Sequence, residues 1–497
     1  MAAVLAVAGG TAAALLLPGD DPPARLPRDA VPVTVTGATG ARISAGYLGV
    51  SLEYTALSAY VGRDPGAINP VFVRLLRNLA PRASPVIRVG GDSTDWTWWP
   101  VAGVPRPPGV SYTLTPRWVA LARALARALD ARLVLGINLE ADSARLAGAE
   151  ARALLRGIGS RFISAFELGN EPEAYSTIGW YTNWRGVSIP GRPPDYGVRA
   201  YIADYASVSR GLPAGVALAG PALASTGWLQ DAGRFLAANP RVRLLTFHFY
   251  PLRRCGIPSR SPIYPTIAHL LAPRSAAPAA GVRAAVAAAH RAGVTVRVDE
   301  LNSVSCKGRP GVSDTFASAL WVTEALFELA QDGVDGVNVH TLARVSYAPF
   351  AFARRAGRWG ARVMPLYYGL LLFGRAAPAG ARLLRSEHPP LGGLELWATR
   401  GPGSVIRVLF INDSPQTPAT LALRAPLARG AGTLQRLRAP GLAATAGVTL
   451  AGQTYGQLTT TGRLAGRRRM IAVEPVDGRY PVVVPPASAA LLTLGVR

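Results

Sequence analysis

Lysine is almost missing from this chain of 497 residues. Of its 53 basic side chains only Lys307 is a lysine, the others being arginine, against 29 acidic residues and a formal charge of +24. Cysteine is limited to Cys255 and Cys306, and there are five histidines. Each scarcity closes a class of function. Two thiols cannot form a disulfide framework. Five scattered histidines without an H-E-x-x-H helix offer no convergent ligand set, so no metal is expected. There is no G-x-S-x-G elbow for acyl transfer and no G-x-G-x-x-G phosphate fingerprint, and no cofactor is expected. The arginines are scattered, and the densest run, Arg467 to Arg469, lies between strand-like segments and reads as a solvated face. No nucleic acid partner is expected. The charge remains compatible with an anionic ligand without selecting one. In the body of the chain no apolar run reaches the length of a membrane span.

What is present is a large apolar globular body, 49% hydrophobic and 16% charged. Its length exceeds what one core usually serves, so a large domain plus a smaller one is expected. Residues 1–28 read as a signal peptide or membrane anchor plus linker, because Ala2 to Leu17 form an apolar run of secretory length before a Pro/Gly/Asp break. A secreted or extracytoplasmic protein is expected, with a membrane reached only through that N-terminus. Between residues 45 and 375 eight β-type runs alternate with Ala/Leu/Arg-rich helical segments. They are 47–54, 85–91, 132–138, 163–172, 216–223, 244–252, 294–303 and 336–341. Eight β/α units predict a (β/α)8 TIM barrel. Helices are expected from Thr115, with Pro116 at the first helical position, and from Ser313 or Asp314 to Gly333. From residue 376 to 497 the texture changes to alternating strands with turn residues, which predicts a C-terminal β-sandwich. Residues 30–40, "VPVTVTG" at their centre, are expected to add a strand to it.

Catalytic groups of such a barrel sit at the C-terminal ends of its strands. There the sequence places Glu53, Arg88, Asp92, Asp95, Asn138, Asn170, Glu171, His248, Tyr250, Asp299, Glu300, Asn302, Asn338 and His340. Glu171 and Glu300 end the fourth and seventh runs and are expected on opposite sides of the ring, facing each other. Paired carboxylates across a cleft are the apparatus of glycoside hydrolysis. Glu167, earlier in strand four, is expected to lie deeper and to pair with an arginine such as Arg88. Strict alternation puts Thr295, Arg297 and Asp299 on one face and Glu300 on the other.

The segments "GYLGVSLEY", "VIRVGGDSTDW", "FELGNEPEAY", "DELNSVSCKGRPGVSDTFASALW", "DGVNVHT" and "YAPF", followed by "MPLYYG" and a trailing β-domain, occur in this order. From about Val31 to the C-terminus the chain resembles glycoside hydrolase family 79, which contains β-glucuronidases and heparanases. The resemblance implies a retaining mechanism with Glu171 as acid/base, Glu300 as nucleophile and Asn170 on the sugar 2-hydroxyl. Glu53, Asp92, Asn138, His248, Tyr250, Lys307 and Tyr347 are the further candidates for substrate binding. Tyr347 matches a tyrosine that holds the uronic carboxylate in the family. A second such tyrosine is replaced here by Ser305, and Lys307 two residues later offers a charge instead. Cys255 and Cys306 fall in the loops after strands six and seven, adjacent units of the ring, and are expected to form a disulfide. The expected partner is a carbohydrate, an acidic glycan with terminal uronic acid. A glycosidase for a neutral or 4-O-methylated sugar, and a glycan-binding barrel without catalysis, are the other readings.

Overall fold

The computed structural model describes residues 25–278 and 280–496. The apolar N-terminal run on which the leader reading rests lies outside the described residues. Among those described, no helix is long and apolar enough to cross a membrane.

Eight parallel strands close into a barrel: Leu48–Glu53, Val86–Gly90, Arg132–Ile137, Ile163–Leu168, Leu218–Leu223, Val242–Phe249, Thr295–Leu301 and Gly336–Thr341. Their alternation sorts side chains by face. Val50, Leu52, Val89, Leu135 and Val298 point outward into the main hydrophobic core. Polar residues point inward and fill the barrel in layers. At the bottom the Arg297 guanidinium donates to Asn338 Oδ1 (2.9 Å) and to the Gly46 carbonyl (2.9 Å). Above it Arg88 meets Glu167, and Glu300 lies nearest the mouth. Such a filled interior is a packed core rather than a pore.

The surrounding helices start and stop where their end chemistry dictates. Thr115 caps Pro116–Leu129 by accepting from the Trp118 N–H, and Asp130 ends it in the left-handed conformation. The helix expected from residue 313 or 314 begins later, as Phe316–Gln331. Its supposed first residues are spent on the preceding turn: Ser313 Oγ accepts from the Arg309 N–H and Asp314 Oδ1 from the Gly311 N–H.

Ten further strands hydrogen-bond into one continuous sheet, and the rest form short two-stranded ladders. The sheet doubles back, so that Tyr480–Val484 at one edge packs over Val405–Asn412 and Ser488–Val496. This encloses a second core containing Val408, Phe410, Leu421, Val482 and Leu492. Strand Val31–Arg42 is interior to the sheet, antiparallel to Arg382–Glu387 and parallel to Ala419–Arg424. Val33 and Val35 point into the second core. The barrel is therefore inserted between two parts of the β-domain, Val31–Arg42 and the strands from Arg382 onward. A chain starting at Gly37 would lose the whole ladder to Ala419–Arg424 and the Thr34 and Val35 pairs of the ladder to Arg382–Glu387. It should accumulate as insoluble protein, and soluble material with the parent's melting temperature would contradict this placement.

Candidate active site

The stretch "FELGNEPEAY" places the first carboxylate. Strand Ile163–Leu168 ends at Gly169, whose φ of +75° and closeness to the Tyr175 hydroxyl leave no room for a side chain. Asp95 organises the turn that follows. Its Oδ1 accepts the N–H groups of Leu139 (2.9 Å) and Glu140 (3.1 Å), and its Oδ2 accepts the Asn170 N–H (2.9 Å) and the Tyr175 hydroxyl (2.7 Å). Glu171 then takes a left-handed conformation and donates its N–H to the Ala222 carbonyl on strand five (2.9 Å). Its half-buried side chain meets His248, with Oε1 2.9 Å from Nδ1.

The second carboxylate owes its position to a β-bulge. Phe247 pairs with Val298 and His248 with Glu300, so Asp299 is the extra residue, and on the other side Asp299 and Glu300 together oppose Asn338. A bulge inserts one residue and re-aims those around it. Asp299 and Glu300 both face inward, which corrects the alternation expected for this strand. Glu300 is 5% exposed. Its Oε1 accepts from Arg88 Nη1 (2.6 Å) and its Oε2 from the Tyr250 hydroxyl (2.8 Å).

Strands four and seven are three positions apart in the ring rather than diametrically opposed. Strand six lies between them, and its His248 touches both acids, with Nδ1 2.9 Å from Glu171 Oε1 and 3.9 Å from Glu300 Oε2. Those two oxygens can therefore be at most about 7 Å apart, which admits the ~5–5.5 Å of a retaining pair and excludes most of the ~6.5–9.5 Å inverting range.

Arg88, fully buried, binds the constellation from below. Nε donates to Glu167 Oε2 (2.7 Å), Nη2 donates to Asn170 Oδ1 (2.9 Å) and lies 3.3 Å from Asp299 Oδ2. With its carbonyl oxygen engaged, Asn170 keeps its amide N–H groups for a ligand. His248 Nε2 approaches Asp299 Oδ2 at 3.3 Å. Burial alone would keep this imidazole neutral, but Glu300, Asp299 and Glu171 hold it well above the ordinary histidine value. Burial would likewise raise Glu300, but His340, His248, Arg88 and the Tyr250 hydroxyl hold it well below the usual carboxylate range. Arg88 is the permanent charge among these, since burial pushes His340 itself down.

Other mouth carboxyls shift the opposite way. Burial, then the charges of Asp92 and Glu300, push Glu53 up to about 8, although the Ser93 N–H (2.8 Å) and hydroxyl both donate to its Oε2. Gly91, with φ +74°, is required here because a side chain would strike this carboxylate. Asp92 is solvent-accessible yet closely ringed by protein, and desolvation followed by Glu171 and Glu300 pushes it up to about 7. Glu53, Glu300 and His340 offer three donor atoms within 4.8 Å of one another. The Arg88 guanidinium on Glu300 already supplies the positive charge a cation would bring there.

The rim beside Glu300 is built from three loops. Leu252–Arg253 and Val304–Ser305 form a short parallel ladder, and Cys255 and Cys306 are joined by a disulfide. The exposed Lys307 gives its carbonyl to the Ser346 N–H (3.1 Å), which brings the seventh loop against the eighth. Tyr347 is buried there, its ring 6.3 Å from Tyr250 and 6.0 Å from His340.

Asn138, expected to bind substrate, is committed elsewhere. Its Nδ2 donates to the carbonyls of Asp95 and Thr97 and its Oδ1 accepts the Ala141 N–H, so it shapes the third loop and has nothing left to offer a ligand. Sequence reasoning did not single out Tyr175, Ser93 or Ser51, and it gave Arg88 only one of its partners. Arg88 has a signal in retrospect, being, like Arg297, a cation set between apolar residues of a barrel strand. Ser51 and Ser93 have none.

A family model for the glycosyl hydrolase family 79 C-terminal beta domain matches residues 397–491. A β-glucuronidase of Neurospora crassa is 22% identical over 429 residues, 77% of this chain and 74% of that protein. The C-terminal domain is thus that of glycosyl hydrolase family 79, and the likeness to a β-glucuronidase extends over most of the chain. Among solved structures, a 4-O-α-L-rhamnosyl-β-D-glucuronidase from Fusarium oxysporum matches this hydrolase with a TM-score of 0.69 at 19% identity, covering 93% of this chain and all (100%) of the other. A family 51 arabinofuranosidase from Xanthomonas axonopodis pv. citri matches with a TM-score of 0.61 at 16% identity, again over 93% and 100%. These two share the fold.

Glu140, at the edge of the site, gives a pH test of its electrostatics. Burial, then the Asp95 charge, raise it from 4.5 to about 9. The folded state thus holds a proton that the unfolded state releases, and this contribution to stability is complete below about pH 4.5 and is lost as pH rises through 9. Denaturant midpoints at pH 5, 7 and 9 should fall more steeply for the parent hydrolase than for Glu140→Gln. Parallel slopes would show that Glu140 is ionised throughout.

Proposed function

We propose that this protein is a retaining β-glycosidase of the β-glucuronidase type, releasing terminal uronic acid from acidic glycans by double displacement. The observation that carries the reading is the Glu171–His248–Glu300 contact, which holds two carboxylates within reach of one anomeric carbon. Glu300, kept ionised, attacks that carbon while Glu171 gives its proton to the departing glycosidic oxygen. The C–O bond breaks and a glycosyl ester forms on Glu300. Glu171 then takes a proton from water, whose oxygen attacks the same carbon and frees Glu300. The Asn170 amide donates to the 2-hydroxyl. Glu53 and Asp92, which can carry protons near neutrality, bind the remaining hydroxyls.

The uronic carboxylate is assigned to the rim at Lys307 and Tyr347, where the Lys307 ammonium and the Tyr347 hydroxyl can donate to it. The β-glucuronidase relative and the rhamnosyl-glucuronidase fold neighbour support this class. The disulfide is in keeping with export to an oxidising compartment. Ser305 favours one alternative, a sugar without a free carboxylate or with a substituted 4-hydroxyl, because the family's tyrosine is missing at that point.

Aryl β-glucuronide, β-glucoside and β-xyloside separate the readings. Turnover of the glucuronide alone is expected, and turnover of only the neutral substrates would reject the glucuronidase assignment. Glu171→Gln and Glu300→Gln should each lower kcat by about 10³-fold or more, and undiminished rates would remove the pair from the chemistry. Lys307→Met should raise KM for the glucuronide about tenfold, the worth of one charge-assisted hydrogen bond. An equal rise for the glucoside would show that Lys307 shapes the loop instead of reading the carboxylate.

A further inference from the structure

The end of the barrel opposite the mouth carries a concentration of arginine that the catalytic site does not use. A cavity of about 760 Å³ lies between the N-terminal ends of the strands and the β-domain, lined among others by Arg82, Arg375, Arg407 and Arg468. Among the described residues, no Asp or Glu lines it. A second cavity of about 760 Å³ shares Arg82 and Arg375 with it and adds Arg74, Arg77 and Arg463, with Asp130 as its one acid. Asp130 is already paired with Arg161 (3.1 Å). On the other side, across Pro402, a third cavity of about 470 Å³ is lined by Arg42, Arg382 and Arg400.

Those last three arginines form a row across the sheet. Arg42 pairs with Arg382, and Arg382 with Arg400, on three adjacent strands. Like charges directly opposite each other on neighbouring strands are destabilising. All three side chains are exposed, and among the described residues none is paired with a carboxylate. Nearby, Arg407 Nη1 is sealed from solvent without an acceptor. Burial, then repulsion from Arg468, push the Arg375 guanidinium below its ordinary value. Positive charge is thus gathered here at a cost to the empty protein, and Arg468 of the terminal arginine run faces a cavity instead of only solvent.

We propose that this arginine track is a second binding site, for a carboxylate- or sulfate-bearing glycan chain that passes across the end of the barrel opposite the catalytic mouth. The planar guanidinium fork matches such groups. A nucleic-acid strand is disfavoured because the aromatic rings along the track, Tyr47, Phe373 and Tyr455, are buried and give bases no face on which to stack. The choice of a glycan rests on the glucuronidase reading of the mouth, whereas the choice of an anion does not.

The test uses a hyaluronan decasaccharide as the acidic probe, with a neutral cello-oligosaccharide and a single-stranded oligodeoxynucleotide as comparators. Calorimetric affinity for the hyaluronan probe should fall at least about tenfold in Arg42→Glu/Arg382→Glu and in Arg82→Glu/Arg468→Glu, and should weaken with salt. Aryl glucuronide hydrolysis should be unchanged in both. Arg382→Gln should raise the melting temperature of the free protein, because it removes repulsion on two sides. Unaltered affinity in both double variants, or a lower melting temperature for Arg382→Gln, would overturn the site. Equal affinity for the oligodeoxynucleotide would overturn the glycan assignment. Loss of probe binding in the variants of a protein that turns over no glucuronide would uphold the anion site while sinking the reading of the mouth.

Discussion

The whole mouth hangs on one buried guanidinium. Arg88 has no water to solvate it, and a cation in that position is tolerable only if each of its N–H groups finds an acceptor. Glu167, Glu300, Asn170 and Ser51 accept them, and Asp299 adds its charge 3.3 Å from Nη2. Because these come from strands four, seven and one while Arg88 comes from strand two, satisfying the charge also fixes the strands relative to one another. Losing any single acceptor would leave a fragment of charge unpaired, so positions that never touch a sugar are as constrained as those that do.

Around this fixed charge the carboxyls divide by environment. Glu300 faces His340, His248, Arg88 and the Tyr250 hydroxyl and stays ionised, whereas burial and then the neighbouring acids make Glu53 and Asp92 hold protons into the neutral range. One small cavity thereby contains a strong anion and two weak acids made from similar side chains, with His248 as the cation that both Glu171 and Glu300 can see. Separating the ionisation of neighbouring carboxyls is how a site obtains acid and base functions from one residue type.

Much of this could be read from the sequence, and the parts that could not share a cause. All eight barrel strands were legible because each is a short apolar run with inward polar positions, and the Thr115–Pro116 start was legible because capping is local chemistry. The Glu167–Arg88 pair was legible because a buried acid needs a cation. Asn138 was misread because a strand-end asparagine binds a sugar and ties a loop with the same atoms, and only the location of the Asp95 and Thr97 carbonyls distinguishes the two. The interior place of Val31–Arg42 and the folding of one sheet into two layers depend on pairings hundreds of residues apart, which no local pattern encodes. The same holds for the arginine row, whose members are far apart in sequence and adjacent only across strands.

The bulge at Asp299 can be regarded as a half-period phase slip. Up to Val298 the seventh strand keeps the inside–outside rhythm of its neighbours, and after Glu300 it runs in the inverted phase, with Leu301 again outward. One residue of the strand is thus spent on timing and adds nothing to its span. Two adjacent inward carboxylates result, both within ion-pair distance of the buried arginine, and the second of them also reaches the cleft. Deleting a residue between Val298 and Leu301 would restore a perfectly regular strand with a single inward acid. The more ideal β-structure would leave Arg88 with one counter-charge fewer from this strand.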